Sequence, residues 1–352
     1  MDVKKVVKCV LSVIVVVAWC ALNALGQASS SHCGTAVSTP VIPEGPSGLN
    51  SGSTPEPGAI DGVFNLGYNG TDRIDDSCGH RVPGWKADIT VSIIVFSWRT
   101  HLKFLGAEYG WALVTSAGAH EDLNVPVGVN PITGQVITVN DQDSHITVDP
   151  VLIPVSLAWK WGSQVGHFKR FEANISVGEQ FPTETHIPAW IAAQQGNFAQ
   201  PGFGRFTTTV GFGGTWNISP NWQFSLENHY DFHHHQITDR YTQGQEYHNE
   251  WGFSRAITKD HKPIVILGPV GFNHWMVTES HGPGVVLSGL TPDVRPRGSS
   301  LGFQVVRPIP KLGLTFVGTY QNIWYGYSFG LGYHVWATLI YNIKRPERKP
   351  KA

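Results

Sequence analysis

Residues 222–233 read WQFSLENHYDFH, and apolar and polar side chains alternate along this stretch. The apolar set comprises Trp222, Phe224, Leu226, Tyr230 and Phe232. The polar set between them comprises Gln223, Ser225, Glu227, His229, Asp231 and His233. Successive side chains of a β-strand point to opposite faces, so a period of two places each set on its own face. The stretch therefore predicts a strand with one apolar face and one polar face.

The same alternation recurs from residue 59 to residue 343 and predicts twelve strands. Their predicted bounds are 60–69, 87–100, 103–116, 150–162, 166–179, 204–217, 220–234, 243–258, 262–277, 300–309, 312–323 and 328–343. Strands of soluble proteins average about 5–6 residues, whereas a membrane-spanning strand needs about 9–11. The predicted lengths therefore favour strands that cross a membrane.

The connections between these strands alternate in length. Long ones are predicted at 70–86, 117–149, 180–203 and 278–299, and most of the others are tight turns. Short turns at one rim and long loops at the other are typical of bacterial outer-membrane barrels. We therefore predict an all-β fold, a transmembrane antiparallel up-and-down β-barrel of about 12 strands, with its long loops outside the cell.

The composition excludes several other classes of protein. Charged residues make up 14% of the 352 residues, against about 25% in an average soluble domain. The 25 basic residues balance 26 acidic ones, so no nucleic-acid partner is indicated. Thirteen Trp and 39 Gly favour sheet and tight turns over helix or disorder.

The chain divides into four parts. Residues 1–28 carry Lys residues, a short apolar run and small residues in that order, which is typical of a secretory signal peptide. Residues 29–58 are rich in Ser, Pro and Gly and predict a flexible segment or a plug in the lumen. Residues 59–343 form the predicted barrel, and residues 344–352 form a basic tail.

Several stretches of the chain resemble the outer-membrane proteins of the MetA-pathway of phenol degradation family. They are residues 99–110 (RTHLKFLGAEYG), Asp149-Pro150, Phe181-Pro182-Thr183, Tyr230-Asp231-Phe232 and residues 241–248 (YTQGQEYH). The resemblance implies a barrel that passes small hydrophobic or aromatic compounds across the outer membrane. The expected partners are then outer-membrane lipid, the barrel-assembly machinery and a small solute of that class.

This chain departs from the family pattern at two places. Glu184 follows Pro182-Thr183 where the family usually has Gly, and the chain ends on a basic tail rather than on an aromatic residue. The second departure puts the usual C-terminal assembly signal in doubt.

One predicted strand pair is rich in His and carboxylate side chains. Pairing the strands at 220–234 and 243–258 across the loop at 235–242 sets His233 opposite Gly244, Asp231 opposite Glu246, His229 opposite His248 and Glu227 opposite Glu250. The candidate lumen-lining or binding residues are therefore Glu227, His229, Asp231, His233, Glu246, His248 and Glu250. These are also the side chains that bind divalent metals, but a hydrated lumen contains the same types, so we favour a polar lining and predict no metal.

No motif of a known catalytic site is present. The sequence contains no Gly-x-Ser-x-Gly, no His-Glu-x-x-His and no phosphate-binding Gly-Lys-Ser/Thr. We therefore predict a channel without a cofactor rather than an enzyme. The alternatives are a structural or adhesion barrel with a filled lumen, and a secreted β-sandwich that binds a ligand.

Two cysteines, Cys33 and Cys78, remain after removal of the signal peptide. A pair of cysteines in an oxidising compartment favours a disulfide, which needs Cα atoms within about 7 Å. In the predicted topology Cys33 precedes the first strand and Cys78 lies in the first extracellular loop. The two can therefore meet only if residues 29–58 pass through the lumen, and otherwise both stay free.

Overall fold

The computed structural model describes Cys33 and residues 46–129, 136–146, 149–166, 168–182, 204–236, 240–260, 262–287 and 291–343. The predicted signal peptide and basic tail lie outside these residues. The strands within the described ranges are, in chain order, β1 (Ile60–Ile74), β2 (Lys86–Phe104), β3 (Ala107–Val129), β4 (Val136–Ile146), β5 (Val151–Val165), β6 (Phe168–Gln180), β7 (Thr207–Ser219), β8 (Trp222–His233), β9 (Glu246–Lys259), β10 (Lys262–Met276), β11 (Arg297–Ile309), β12 (Leu314–Tyr327) and β13 (Gly330–Ile343).

Helix is nearly absent from this part of the chain. It comprises a four-residue α-helix, α1 (Gly284–Leu287), and two 3₁₀ turns at Gly48–Asn50 and Pro310–Leu312. No helix in the described ranges is long and apolar enough to cross a membrane.

Twelve of the thirteen strands form a closed antiparallel barrel. β1 pairs with β13 on one side, Ile60 opposite Ile343, and with β2 on the other. β2 pairs with β3, β3 pairs with β5, and each later strand pairs with the next. The predicted fold class is therefore confirmed, and closure leaves no strand edge of the ring unpaired.

The remaining strand, β4, corrects part of the prediction. Residues 117–149 were predicted to be a loop, but β3 runs on to Val129 and β4 pairs with its outer half, Ala119 opposite Ile146. β4 has no other partner strand in the described chain, and the part of β3 beyond Asn124 no longer pairs with β2, so this hairpin extends outward from the ring. A hairpin outside the lipid needs no continuous apolar face, which explains why its sequence lacks the alternation seen in the other strands.

The outer face of the barrel is apolar. Large side chains stand exposed along it, among them Leu301 (52%) and Phe303 (46%) on β11. Aromatic rings also stack across three neighbouring strands, with ring centroids 6.4 Å apart for Trp161 and Phe171 and 6.2 Å apart for Phe171 and Trp216. An exposed apolar belt around a closed barrel is the surface that lipid covers.

The core of the protein lies inside the barrel. Leu49, which is 1% exposed, packs with Val270, Val306 and Val317 from the inner faces of β10, β11 and β12. Leu49 belongs to the segment that precedes β1, so part of the lumen is filled by the chain's own N-terminal residues. We call residues 46–58 the lumen segment.

Candidate functional site: the barrel lumen

Two carboxylates of the barrel wall hold the backbone of the lumen segment. Glu250 accepts a hydrogen bond from the Gly48 N–H at 3.0 Å, and Glu227 accepts one from the Gly52 N–H at 3.5 Å. Glu227 and Glu250 lie directly opposite each other on β8 and β9. Both are among the predicted lumen residues, and both bind the backbone of the lumen segment.

Amide side chains of the wall complete this anchoring. Gln304 accepts a hydrogen bond from the Leu49 N–H at 2.8 Å and donates one to the Pro46 carbonyl at 3.3 Å. Asn174 donates to the Gly52 carbonyl at 3.1 Å. Buried backbone groups need hydrogen-bond partners, and inward-pointing side chains supply them here in place of a neighbouring strand.

Glycines let the lumen segment approach the wall closely. A Cβ atom built on Gly252 would lie 2.8 Å from Leu49 Cα, and one on Gly213 would lie 3.2 Å from Gly52 Cα. A side chain at Gly252 would therefore displace the segment. At the short-turn rim the Gly58 N–H donates to the Arg99 carbonyl at 2.6 Å, which fixes the point where the chain turns into β1.

A cavity of about 360 Å³ with a mainly apolar surface remains beside the lumen segment. Aliphatic side chains from several strands line much of it, and Pro46 and Pro55 of the segment line another part. The wall residues are Val63, Ile93, Val95, Val114, Ile153, Val317 and Ile340. Polar residues line the rest, and they are Ser47, Ser53, Thr54, Asn65, Ser97, Arg99, Ser156, Asn174, Ser176, Glu227, His229 and Thr338. The Arg99 guanidinium donates to the Ser156 carbonyl at 2.9 Å and hydroxyl at 3.1 Å.

The sequence prediction of a polar lumen did not include this apolar surface. Residues 89–96 read ITVSIIVF, so apolar side chains occupy both faces of β2, and Ile93 and Val95 point inward. A continuous apolar run indicates a strand that is covered on both sides. That run was the available signal for an apolar patch inside the barrel.

The His-rich strand pair adopts the predicted register over most of its length. Asp231 lies opposite Glu246, and His229 lies opposite His248. The imidazoles of His229 and His248 stack with centroids 5.0 Å apart, and His248 stacks on His274 of β10 at 5.9 Å. The sequence prediction does not include His274, although the alternation of Val270, Phe272 and His274 along β10 places all three side chains on one face.

The imidazoles of His229, His233 and His248 each lie near a carboxylate. His229 Nε2 lies 3.7 Å from Glu227, and His248 Nε2 lies 3.4 Å from Asp231. His233 Nε2 lies 3.4 Å from Glu246. All seven predicted site residues thus point into the lumen, where they are buried or half-buried.

The predicted cysteine pair forms a disulfide in the structure. Cys33 is bonded to Cys78 in the connection between β1 and β2, with Cα atoms 5.2 Å apart. The carboxylate of Asp76 accepts hydrogen bonds from the N–H groups of Cys78 and His80, both at 2.9 Å. His80 also lies within 4.8 Å of both sulfurs, but sulfurs that are bonded to each other are not thiolate ligands for a metal.

Comparisons with known proteins match one family model and several solved β-barrel structures. The family model described as "Putative MetA-pathway of phenol degradation" matches residues 71–324. The COG4313 outer membrane channel from Pseudomonas putida F1 is 12% identical, with a TM-score of 0.62 over 84% of this chain and 98% of that chain. At this identity the likeness shows that the fold is shared. No curated protein matches the chain.

Two further structures are less similar. The β domain of the Bordetella autotransporter BrkA is 10% identical, with a TM-score of 0.42 over 82% of this chain and 100% of that chain. The deltaS2 mutant of the TodX monoaromatic hydrocarbon channel is 10% identical, with a TM-score of 0.42 over 83% of this chain and 91% of that chain. The family match, the shared fold and the lipid-facing belt identify the chain as a bacterial outer-membrane β-barrel, as predicted.

Proposed function

The chain belongs to the MetA-pathway of phenol degradation family, and we propose that it is an outer-membrane channel for the passive uptake of small hydrophobic or aromatic compounds. The observation that carries the proposal is the apolar cavity between the lumen segment and the barrel wall. A general diffusion pore for polar solutes would have a polar, water-filled interior instead.

The size and chemistry of the cavity support this class of solute. A cavity of about 150 Å³ lined by aliphatic side chains is large enough to bind benzene, and small-molecule sites usually measure about 300–1,000 Å³. The cavity of about 360 Å³ therefore accommodates a molecule of one or two rings. Arg99, Ser156, Asn174, Glu227 and His229 offer hydrogen-bonding groups for polar substituents of the ring.

The lumen segment narrows the path and selects the solute. Its backbone bonds to Glu227 and Glu250 place it across the interior, so a solute must pass between it and the wall. We propose that residues 29–58, of which Cys33 and 46–58 are described, act as the predicted plug. The expected partners are outer-membrane lipid, the barrel-assembly machinery and the transported solute, and no catalysis or cofactor is part of the proposal.

A matched pair of substitutions tests the proposal. Val95 lines the cavity, whereas Val177 stands 40% exposed on the outer face. Both are changed to Trp, in a strain that lacks the chromosomal copy, and uptake of a radiolabelled monoaromatic compound by intact cells is measured. Val95→Trp should abolish most of the uptake that the wild-type protein restores, because the indole fills the cavity, and Val177→Trp should not. Equal uptake with both variants, at equal amounts of folded barrel, would rule the cavity out as the route.

A barrel with a filled lumen is the second candidate, and the buried position of Leu49 inside the barrel favours it. The same experiment separates the two functions. A filled structural barrel predicts that the wild-type protein restores no uptake at all.

A further inference from the structure

One level of the barrel wall shows how inward side chains hold a polar group between two strands. Gly213 of β7 lies directly between Asn174 of β6 and Glu227 of β8. Gly52 of the lumen segment occupies the space beside it, with its Cα atom 3.2 Å from the point where a Cβ of Gly213 would stand. Asn174 donates a hydrogen bond to the Gly52 carbonyl, and Glu227 accepts one from the Gly52 N–H. A donor on β6 and an acceptor on β8 therefore hold one residue between them.

The next level of the wall towards the long-loop rim repeats this arrangement without the lumen segment. Gly211 is the next inward residue of β7, and it lies directly between Ser176 of β6 and His229 of β8. The Ser176 hydroxyl oxygen and the His229 Nδ1 atom lie 2.5 and 3.2 Å from the point where a Cβ of Gly211 would stand. The three atoms nearest to that point all belong to these two side chains. We call Ser176, Gly211 and His229 the polar notch.

The polar notch opens onto the cavity and contains an unused hydrogen-bonding atom. Ser176 and His229 both line the cavity. His229 is 6% exposed, and its Nδ1 atom has no hydrogen-bond partner among the described residues. Buried polar atoms are nearly always hydrogen-bonded, and a binding site presents a few such atoms from an otherwise apolar wall. The open nitrogen therefore marks a place where a polar group of a bound molecule can lie.

The surroundings of His229 determine which polar groups fit. Its Nε2 atom lies 3.7 Å from a carboxylate oxygen of Glu227, which favours the tautomer of the neutral imidazole with the proton on Nε2. Nδ1 is then a hydrogen-bond acceptor, and the Ser176 hydroxyl can donate or accept. A hydroxyl group donates to Nδ1 and accepts from Ser176, whereas an amino group donates to both. A carboxylate cannot donate to Nδ1, and the charge of Glu227 repels it.

We propose that the polar notch is a binding subsite for an uncharged amino or hydroxyl substituent of an aromatic ring, while the ring lies against the aliphatic part of the cavity. Ser176 and His229 then make the channel select such compounds over plain hydrocarbons and over carboxylates. This inference rests on the proposed function, because it names the solutes that the same cavity selects. Gly211 contributes by leaving room for the substituent between the two side chains.

Uptake of toluene, aniline and benzoate tests the subsite, because each compound has one ring and one small substituent. The radiolabelled compounds are supplied below saturation to intact cells of the strain that lacks the chromosomal copy, at equal amounts of folded barrel. Wild-type cells should take up benzoate most slowly. His229→Phe keeps a ring of similar size but removes Nδ1, so the ratio of aniline to toluene uptake should fall about 3–10-fold, the effect of one hydrogen bond. Ser176→Ala should lower this ratio as well.

Matched variants separate the loss of the acceptor from other effects of substitution. His229→Asn places an amide oxygen near the position of Nδ1 and should retain most of the wild-type ratio. His281→Phe makes the same exchange at an exposed loop position and should leave the ratio unchanged. If His229→Phe does not fold, Ser176→Ala takes its place. A wild-type ratio in the folded His229→Phe or Ser176→Ala variant, or an equal fall in His281→Phe, would overturn the subsite.

A binding measurement distinguishes failure of the subsite from failure of the proposed function. If the wild-type protein restores uptake of none of the three compounds, the proposed function is wrong. Labelled aniline is then dialysed to equilibrium against the refolded barrel in detergent, with the same detergent alone as the blank. Binding to the wild-type protein that is weakened about 3–10-fold in His229→Phe would support the subsite. Absence of binding, or equal binding by both proteins, would overturn it.

Discussion

At the scale of single residues, the lumen is organised by positions that serve the lumen segment rather than the strands they belong to. Gly252 has no side chain where Leu49 approaches, and Gln304 both donates to and accepts from the segment's backbone. The Glu250 carboxylate accepts a hydrogen bond from the Gly48 N–H. These contacts cost nothing in strand pairing, because inward side chains do not take part in the ladder.

Leu49→Ala should loosen the lumen segment while leaving the barrel intact. Removing a buried Leu side chain costs about 2–5 kcal/mol, and here that cost falls on the docking of residues 46–58. Hydrogen exchange of the Gly48 and Leu49 amides should speed up accordingly. Leu339→Ala is the matched control, because Leu339 stands 43% exposed on the outer face, and it should leave this exchange unchanged. Unaltered exchange in Leu49→Ala would mean that Leu49 does not hold the segment.

At the scale of elements, each strand presents one face to lipid and one to the lumen. On β11, Leu301 and Phe303 stand outside, while Gln304 and Val306 are buried inside. The bulge between Ser299 and Ser300 shifts the register but falls near the strand's end, so the central alternation persists. The face on which a residue lies therefore decides whether a substituted side chain contacts lipid or the lumen.

Phe303→Arg should destabilise the folded barrel by about 2–4 kcal/mol, the cost of placing Arg on the lipid face near the membrane midplane. Phe303 lies in the middle of β11, so its side chain is far from either rim. The folded fraction is measured in urea titrations from lipid vesicles. Phe303→Leu keeps the position apolar and should stay within about 1.5 kcal/mol of the wild-type protein. Equal stability of the Arg and Leu variants would show that this face does not contact lipid.

The β3–β4 hairpin should be dispensable for barrel formation. His120 and His145 lie opposite each other, so an Asn-Gly turn joining them replaces residues 121–144. All pairs between β3 and β5 lie at Val114 or earlier in β3, and they remain. The pairs between β2 and β3 are lost only at the outer end, where residues 86–89 lie opposite residues 121–124. The shortened protein should give the same heat-shifted band as the wild-type protein. Its absence would mean that the hairpin takes part in assembly.

At the scale of the whole molecule, the chain that includes the lumen segment is attached at two points. The Gly58 N–H donates a hydrogen bond to the Arg99 carbonyl beside the short turns. Cys33 forms a disulfide with Cys78 in the connection between β1 and β2, at the long-loop rim. The chain between these two points includes residues that lie inside the barrel. A chain that is attached at both rims stays in the lumen, and in the proposed channel the solute passes beside it.

Breaking the disulfide should free one end of the segment and raise conductance. Cys33→Ser with Cys78→Ser, recorded in planar bilayers, should show larger or more variable currents than the wild-type protein. A reducing agent should have the same effect on the wild-type protein and none on the double variant. Deletion of residues 29–58 should give the highest conductance. Identical currents from the wild-type protein, the reduced wild-type protein, the double variant and the deletion variant would show that the segment does not obstruct the path.

The sequence determined the strands, their two faces and the closed barrel, because alternation and strand length are local properties that a membrane constrains strongly. The sequence allowed the register of Asp231 with Glu246 as one of several, because a slip by one residue changes every pair, and the structure has this register. It did not indicate the hairpin of β4, which has no lipid face to mark it. The tertiary structure alone decided that Leu49 packs on Val270 and Val306, that His274 joins His233 around Glu246, and that valines of separate strands enclose one cavity. These contacts depend on which strands meet across the lumen, and closure of the barrel brings together residues that no local pattern relates.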